Sequence, residues 1–391
     1  MPRAVLIPKT WADVEAALDF AKSEGIAVLP RGGGTSQSGQ TVNDALVVDF
    51  TRYLNKVIDY DAEAGRVTVQ PGLVLDDLNR QLAGDGWWYP VDVSTASRAT
   101  LGGMAANNSC GSRSIRYGKM QDNVLGLEAM LASGEQRRFE AACPSQTLDA
   151  ELIALAAREQ AEIKARFPAV QRRVGGYNID ALLGDAPDMA QLLVGSEGTL
   201  AITKSLDLKL SPKLATKTLG VCHFPSFHAA MDAAQHIVKL GPVAVELVDH
   251  NMIRLGRDIP QFRPIVDSFV RGDPEALLLV EFAETPEENR HRLTALGDLM
   301  AELGFRWDDP GKLDGGVVEA EDPAFQARIW GVRTQGLNIM MSMRSEGKPV
   351  SFVEDCAVPL EHLADFTSRL TDVFRKHGTD CLLYTSPSPR D

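Results

Sequence analysis

The chain has 391 residues, 44% of them hydrophobic and 24% charged, which are the proportions of an ordinary globular protein of two domains. A formal net charge of −13 argues against a nucleic-acid partner, and no apolar run is long enough to cross a membrane. The five cysteines form no CxxC pair, which argues against a zinc or iron–sulfur site. We expect a cytoplasmic protein, with peripheral attachment to a membrane left open.

Residues 1–211 alternate short strand and helix signals. Strands are predicted at residues 4–8, 26–30, 45–50, 56–61, 66–70 and 205–210. A helix is predicted from Thr10, where Asp13 completes a capping box, to Gly25, and a second helix over 74–86. Segment 124–139 predicts two strands around a turn at Ser133–Gly134. Segment 140–190 is mostly helical, and segment 192–203 predicts a hairpin.

The pattern changes after Pro212. Strands are predicted at residues 218–224, 243–249 and 276–282, and helices at 226–240 and 286–303. Residues 212–380 are therefore predicted to form a second α+β domain after the first, 1–211.

The last eleven residues, 381–391, read CLLYTSPSPRD and carry no core pattern. They match the translation of a transposon-type sequencing adapter, so we expect read-through from a truncated clone rather than native sequence. On this interpretation the natural protein continues beyond Asp380.

A glycine-rich loop, LPRGGGTSQSGQT, occupies residues 29–41 directly after a predicted strand. Glycines at such a position let backbone amides approach an anion closely, and Thr35 and Ser36 add hydroxyl donors. The loop lacks the GxxxxGK[ST] of a P-loop, and Gln37 stands where GxGxxG needs its third glycine. A phosphate cradle of another design and a plain glycine-rich turn both remain open for this loop alone.

Two later segments have the same character. Residues 94–118, STASRATLGGMAANNSCGSRSIRYG, are dense in small residues, and residues 195–199, GSEGT, predict a tight turn. Three small-residue loops near strand ends indicate one extended ligand lying across the domain. A dinucleotide fits that length, and the missing Rossmann fingerprint argues against the usual nicotinamide site.

Together, PRGGGTSQSGQ, Pro71–Gly72, ATLGGMAANNSCGSRSIRYG and GSEGTLAIT resemble the FAD-binding domain of the p-cresol methylhydroxylase/vanillyl-alcohol oxidase superfamily. Within it, the chain is most similar to the FAD-linked dehydrogenases of D-2-hydroxy acids: D-lactate, glycolate and D-2-hydroxyglutarate. The resemblance implies an α+β fold, in which a two-subdomain FAD-binding domain is followed by an α+β cap domain. It also implies oxidation of a small 2-hydroxy acid to the 2-oxo acid by hydride transfer to flavin.

By this resemblance the glycine loop holds the FAD pyrophosphate, and the later loops line the flavin and the adenosine. The residues assigned to cofactor binding are Arg31, Gly32, Gly33, Gly34, Thr35, Ser36, Gly39, Gln40, Pro71, Gly72, Thr100, Gly102, Gly103, Asn107, Ser112, Tyr117, Gly118, Glu197, Gly198 and Ile202. Some relatives attach the flavin through a histidine in the glycine loop. This loop has none, so non-covalent FAD is expected, and Cys110 is expected to be a small buried cysteine.

Oxidation of a 2-hydroxy acid needs cations for the carboxylate, a base for the hydroxyl proton and an acceptor for the hydride. In the resembled dehydrogenases, the arginine of an IWGVR-like segment and the lysine before an FVED-like strand lie near the substrate. Those positions are Arg333 and Lys348 here. A guanidinium suits a planar carboxylate and a lysine supplies a point charge. Each residue, taken alone, is also consistent with a solvated surface charge.

The family's metal-binding motif, close to GHxxDGNLH, is missing from this chain. It would follow the helix after FVED, beginning within a few residues of Asp380. No metal ligands are assigned; a divalent metal and iron–sulfur clusters are expected only in a missing C-terminal part. The CHFPSFH segment, 222–228, has metal-like spacing, but we interpret it as a strand end followed by a helix start.

We therefore expect a fragment that binds FAD with little or no turnover, its electrons destined for an iron–sulfur module or a quinone-linked carrier. Two alternatives stay open. One is a reductase similar to UDP-N-acetylenolpyruvoylglucosamine reductase, although the 329–359 segment argues against it. The other is a non-catalytic flavin-binding subunit of a larger complex.

Overall fold

A computed structural model describes residues 1–36, 39–141, 147–214, 216–307, 314–336, 339 and 356–378. The chain divides into two compact units, one of which ends at Lys213 while the other begins at Leu214. The boundary proposed at 211/212 thus lies beside this division. Among the described residues, none of the helices is long and apolar enough to cross a membrane.

The first unit mixes short strands and short helices. Its strands are β1 Ala4–Leu6, β2 Val28–Arg31, β3 Leu46–Asp49, β4 Val57–Asp61, β5 Arg66–Val69, β6 Trp87–Trp88, β7 Val124–Leu131, β8 Gln136–Phe139, β9 Ala201–Lys209 and β10 Ser211–Pro212. Its α-helices are α1 Trp11–Glu24, α2 Leu75–Leu82, α3 Leu101–Asn107, α4 Ser114–Tyr117, α5 Met120–Asn123, α6 Thr147–Arg158, α7 Gln160–Arg166 and α8 Met189–Leu193.

A parallel sheet of order β1-β3-β2 begins the first unit. Helix α1 packs its apolar stripe, including Val14 and Leu18, against β3. The start of α1 follows the predicted capping box, because the Asp13 carboxylate accepts a hydrogen bond from Thr10 N at 2.8 Å. Gly25 ends the helix at φ +63°, a left-handed conformation that glycine adopts without strain.

The larger sheet of this unit is antiparallel, with strand order β4-β5-β9-β7-β8. One core cluster joins it to α2 and α3 through fully buried side chains such as Leu78, Leu101 and Leu206. Each such leucine contributes about 2 kcal/mol of transfer free energy. A small parallel sheet and a larger antiparallel sheet, each packed with helices, confirm the expected two-subdomain α+β architecture.

The second unit is an antiparallel sheet of order β12-β13-β11-β14 with helices packed against it. The strands are β11 Thr218–Phe224, β12 Ala244–Asp249, β13 Ala276–Phe282 and β14 Val317–Ala320. The α-helices are α9 Phe227–Ile237, α10 His250–Asp258, α11 Arg263–Phe269, α12 Pro286–Glu302, α13 Pro323–Thr334 and α14 Leu363–Lys376.

Both faces of the second sheet are covered, which is why every residue of β11 and β13 is buried. Alternate residues along a strand point to opposite faces. Cys222 and Phe224 therefore pack with α9, α12 and α14, whereas Leu219 and Val221 pack with α10, α11 and α13.

One element of the sequence prediction is wrong. Residues 192–203 do not form a hairpin: α8 ends at Leu193, and β9 begins only at Ala201 and continues to Lys209. The Asp188 carboxylate accepts a hydrogen bond from Ala190 N at 2.9 Å and caps α8, so the apolar run after it is helical. Strand β14 and helices α10, α11 and α13 were not predicted.

Candidate functional site

A cleft opens to solvent in the first unit. The end of β2, the start of α3, the turn after α8 and β9 supply its walls. Seven of the residues predicted to bind a cofactor line it, namely Arg31, Gly32, Pro71, Gly102, Gly103, Glu197 and Gly198. The fold thus brings together residues from four separate sequence motifs.

The glycines are required by close approach of backbone segments. A Cβ on Gly32 would overlap Oγ1 of Thr100, and a Cβ on Gly33 would overlap the carbonyl oxygen of Arg98. A Cβ on Gly102 would lie 2.5 Å from Cβ of Pro71. Contacts this short are not available to any residue with a side chain. The glycine loop, the start of α3 and the turn at Pro71 can therefore pack this closely only at glycine.

The glycine loop presents hydrogen-bond donors without protein acceptors. Within the described part of the chain, the backbone amides of residues 32–36 donate no hydrogen bond. Arg31 lines the cleft, and its Nε is buried without a partner among the described residues. Gly34 has φ +65°, a conformation that turns successive amides towards one side, as in an anion-binding nest. This combination of orphan donors and one guanidinium suits a phosphate or pyrophosphate.

The start of α3, by contrast, has few donors to offer. Leu101 N donates to the Leu73 carbonyl, Gly102 N to the Pro71 carbonyl and Gly103 N to Oγ1 of Thr100. Thr100 is 1% exposed and caps the helix. The segment thus contributes close packing to the cleft wall, and the anion donors come from the glycine loop.

The turn after α8 forms another wall. Glu197 has φ +53°, which is uncommon for a residue other than glycine, and its amide donates to the Ala106 carbonyl at 2.9 Å. Gly198 follows at φ +73°. Tyr177, which the sequence analysis did not single out, shares a 2.7 Å hydrogen bond with Oγ1 of Thr199 at this turn.

Three other predicted residues, Asn107, Ser112 and Tyr117, are not in the lining of the cleft. Asn107 Nδ2 donates to Oγ of Ser36 at 3.3 Å, and Ser112 Oγ donates to Asp92 at 2.7 Å. The Tyr117 ring packs edge-on against Trp88. The first of these contacts joins the end of α3, a helix that carries lining residues, to the glycine loop.

The residues that line the cleft do not include Thr35, Gly39, Gln40, Gly72 or Gly118. Gly72 packs against the carbonyl oxygens of Phe50 and Leu54, and Gly118 adopts φ +74°. Thr35 is half-buried, whereas Gly39 and Gln40 are exposed. Cys110 is buried, as expected for a small structural cysteine.

Ile202 is placed differently from the expectation. Its side chain lies in the core cluster with Val14 and Met130, while its neighbours Ala201 and Thr203 line the cleft. Side chains alternate along β9, so only the odd-numbered residues here face the cleft. Any contact of Ile202 with a ligand must therefore come from its backbone.

Several lining residues have no signal in the sequence. Phe50 and Leu127 line the cleft from the end of β3 and from β7, and Ala105 and Ala106 from α3. They are ordinary apolar residues of strands and helices. Only the packing of the sheets brings them to the ligand.

In the second unit, Arg333 lies in the last turn of α13 and donates from Nη2 to Oε2 of Glu246 on β12, at 2.8 Å. The two side chains are 16% and 3% exposed. Arg333 is thus a largely buried, paired guanidinium and not a solvated surface charge. Lys348 lies outside the described residues.

The CHFPSFH segment spans the end of β11 and the start of α9. His223 Nδ1 lies 2.9 Å from the Val221 carbonyl, and Nε2 accepts from Arg271 N at 3.1 Å. Burial lowers the pKa of His223 to about 4, so the ring is neutral at physiological pH. Both ring nitrogens are occupied by backbone groups. Cys222 points to the other face of the sheet.

The cleft fits the pyrophosphate of an FAD. Glycines bring its backbone segments close together, and apolar residues such as Phe50 and Leu127 line the same space. Within the described part of the chain, the loop amides and the Arg31 Nε have no hydrogen-bond acceptor. Mostly apolar walls with a few convergent polar groups are typical of cofactor sites.

Two family models match the chain. The FAD binding domain matches residues 2–140, and the C-terminal domain of FAD linked oxidases matches residues 213–385.

The chain is 30% identical to D-2-hydroxyglutarate dehydrogenase of Pantoea ananatis and 31% identical to that of Escherichia coli, in each case over 97% of this chain and 39% of the relative. It is 27% identical to the glycolate oxidase subunit GlcD of Bacillus subtilis, over 96% of this chain and 69% of that protein. The chain therefore spans well under half the length of the two dehydrogenases.

A solved structure of alkyldihydroxyacetonephosphate synthase matches with a TM-score of 0.60 at 18% identity, covering 86% of this chain and 55% of that one. At this identity the likeness shows the fold alone. The two family models go further: the chain carries an FAD binding domain followed by the C-terminal domain of FAD linked oxidases.

Proposed function

We propose that this chain binds FAD non-covalently in the cleft of the first unit, and that the protein oxidises a D-2-hydroxy acid to the 2-oxo acid. The carrying observation is the glycine-walled cleft, in which the amides of residues 32–36 and the Arg31 Nε lack acceptors within the described chain. The dehydrogenase relatives support the substrate class, since their match extends over 97% of the chain.

In this proposal, charged and polar groups of the protein bind the anionic parts of the cofactor and substrate, and apolar groups surround the cofactor. The glycine loop and Arg31 neutralise the pyrophosphate, and the apolar lining shields the cofactor from water. When bound, FAD would supply the acceptor for the hydride that leaves C2 of the acid, and the proton of the C2 hydroxyl would pass to solvent water. Arg333 and Lys348 bind the substrate carboxylate, the guanidinium through its planar fork and the ammonium as a point charge. The electrons then pass to a separate acceptor, an iron–sulfur module or a quinone-linked carrier.

Non-covalent attachment has its own support. The residues that line the cleft include no histidine, cysteine or tyrosine among those the structure describes, and these are the side chains that form flavin linkages. Acid precipitation of the purified chain should therefore release the flavin bands into the supernatant. Yellow colour retained in the pellet would contradict this part of the proposal.

The oxidation is tested by adding D-lactate, glycolate and D-2-hydroxyglutarate to the FAD-loaded chain without oxygen. Bleaching of the visible flavin band by one of these acids, and not by the L enantiomer of the chiral ones, is the expected result, at the low rate that the sequence predicts for this chain. Bleaching by NADPH alone would instead favour a reductase like UDP-N-acetylenolpyruvoylglucosamine reductase. A stable flavin spectrum with every reductant would favour a non-catalytic flavin subunit.

A further inference from the structure

The guanidinium of Arg333 is held by a residue 87 positions earlier in the chain. Glu246 lies on β12 opposite Leu279 of β13, on the sheet face that packs against α10, α11 and α13. Its carboxylate is 3% exposed and accepts from Nη2 of Arg333 at 2.8 Å. The two residues therefore connect the sheet to the last turn of α13.

In this ion pair only one nitrogen of the Arg333 guanidinium, Nη2, donates a hydrogen bond to Glu246. Arg333 Nε is buried and, within the described chain, has no hydrogen-bond partner; Nη1 likewise makes none there. An arginine–carboxylate pair that serves stability is commonly bidentate, with two parallel bonds. A buried donor without an acceptor costs free energy, and each such group in a native structure calls for an explanation. An anion that arrives at Arg333 would supply the missing acceptor.

Packing alone does not account for Glu246. Its neighbours on this sheet face, Val248, Leu277 and Leu279, are apolar. A well-packed apolar residue usually serves such a position at least as well as a buried ion pair. A carboxylate there is better explained by the guanidinium that it orients.

We propose that Glu246 is a positioning residue: it accepts one hydrogen bond from Arg333 and so holds the remaining N–H groups of the guanidinium ready for the carboxylate of a 2-hydroxy or 2-oxo acid. This inference rests on the proposed function, in which Arg333 binds that carboxylate. Glu246 makes no contact with the acid itself. Its contribution is the orientation of a long side chain, which would otherwise be lost from the binding geometry.

The same sheet face offers a matched control. Glu281 on β13 is 1% exposed and pairs with Lys217 at 3.6 Å, whereas Glu246 pairs with Arg333. Replacement of Glu281 therefore removes a buried carboxylate of the same sheet, and any general loss of stability appears in both variants.

The test measures binding of pyruvate and 2-oxoglutarate, which cannot be oxidised at C2, to the FAD-loaded chain by calorimetry. Glu246→Leu should raise the Kd about tenfold or more, since it truncates one partner of a buried charge pair. Glu246→Gln should stay within about threefold, because its amide oxygen still accepts from Nη2. Glu281→Leu should leave the Kd unchanged, and FAD content should be equal in all variants.

Glu246→Leu should add no further loss in an Arg333→Leu background, as expected for residues that act through one contact. Equal weakening in Glu246→Leu and Glu281→Leu would overturn the proposal, as would unchanged binding in Glu246→Leu. If Glu246→Leu does not fold, Glu246→Asp takes its place, since its shorter side chain withdraws the acceptor from Nη2 and should weaken binding while Glu246→Gln does not. Weakening in Glu246→Gln as large as in Glu246→Leu would mean that charge, not the hydrogen bond, matters, and would also overturn it.

The two proposals fail in different ways. In one case the wild-type chain binds the 2-oxo acids and Glu246→Leu weakens that binding, but no 2-hydroxy acid reduces the flavin. The proposed oxidation is then wrong, and the proposed role of Glu246 stands. If the flavin is reduced but neither 2-oxo acid depends on Glu246, the oxidation stands and the role of Glu246 fails.

Discussion

The two units of this chain build their candidate sites from different materials. In the cleft of the first unit, backbone segments pack closely at Gly32, Gly33 and Gly102, beside apolar residues of the lining. The corresponding region of the second unit is made of long charged side chains, Glu246 and Arg333, inserted against a buried sheet. A backbone site is sensitive to added volume, whereas a side-chain site is sensitive to charge and protonation.

The largest effect that would sharpen this contrast is a pH dependence of stability seated in the second unit. Burial lowers the pKa of His223 to about 4 from its ordinary 6.5, so its stability contribution is complete above pH 6.5 and is lost as pH falls towards 4. Burial raises the pKa of Asp249 to about 6 from 3.8, so its contribution is complete below pH 3.8 and is lost as pH rises through 6. The two contributions oppose each other, each by about 3 kcal/mol.

Single substitutions should expose the two opposing slopes. In His223→Gln, the free energy of unfolding should fall more steeply than in the wild type as the pH rises from 4 to 6.5, because only the Asp249 contribution remains. Asp249→Asn keeps an acceptor for Met252 N, which Asp249 now binds at 2.9 Å, and should make it rise instead. Urea unfolding at several pH values measures both. Parallel curves for the wild type and both variants would contradict the assigned ionisation states.

A methyl group at the cleft should produce the next largest effect. Gly33→Ala places a Cβ against the backbone oxygen of Arg98, which cannot move as a flexible side chain can. Overpacking of this kind costs about 1–3 kcal/mol, so FAD affinity should fall about tenfold to a hundredfold. Flavin fluorescence titration measures the Kd.

Gly84→Ala is the matched control for that change, because a Cβ there meets no atom within 4 Å and Gly84 has no left-handed φ. It should bind FAD like the wild type. If Gly33→Ala bound FAD as tightly as the wild type, the cleft would tolerate added volume, and the contrast between a backbone site and a side-chain site would be wrong.

The smallest effect compares two helix caps. Thr100 Oγ1 accepts from Gly103 N at 3.4 Å in the first unit, and Thr285 Oγ1 accepts from Glu288 N at 3.3 Å in the second. Either threonine replaced by alanine should cost about 1 kcal/mol of unfolding free energy. Only Thr100→Ala should also lower the affinity for FAD, because Thr100 packs against Gly32 of the cleft. A loss of FAD affinity in Thr285→Ala would show that the effect is not local.

Much of this molecule could be predicted from local chemistry. The capping box at Thr10 and Asp13, the turn at Gly134 and the buried strands at 218–224 and 276–282 all follow from short-range patterns. The hairpin at 192–203 failed because the Asp188 cap starts a helix that runs to Leu193, and the next strand begins only at Ala201. Periodicity alone does not separate a short buried helix from a strand.

The sequence by itself determined that three small-residue loops must approach something closely, since only glycine permits that backbone geometry. It also indicated an FAD-binding domain, because the motifs that resemble such a domain follow one another in its order along the chain. Only the tertiary structure decided that Ala201 and Thr203 face the cleft while Ile202 faces the core, and that Glu246 reaches Arg333. The reason is physical: glycine requirements are local to the backbone, whereas strand facing and ion pairing depend on which distant segments fold against each other.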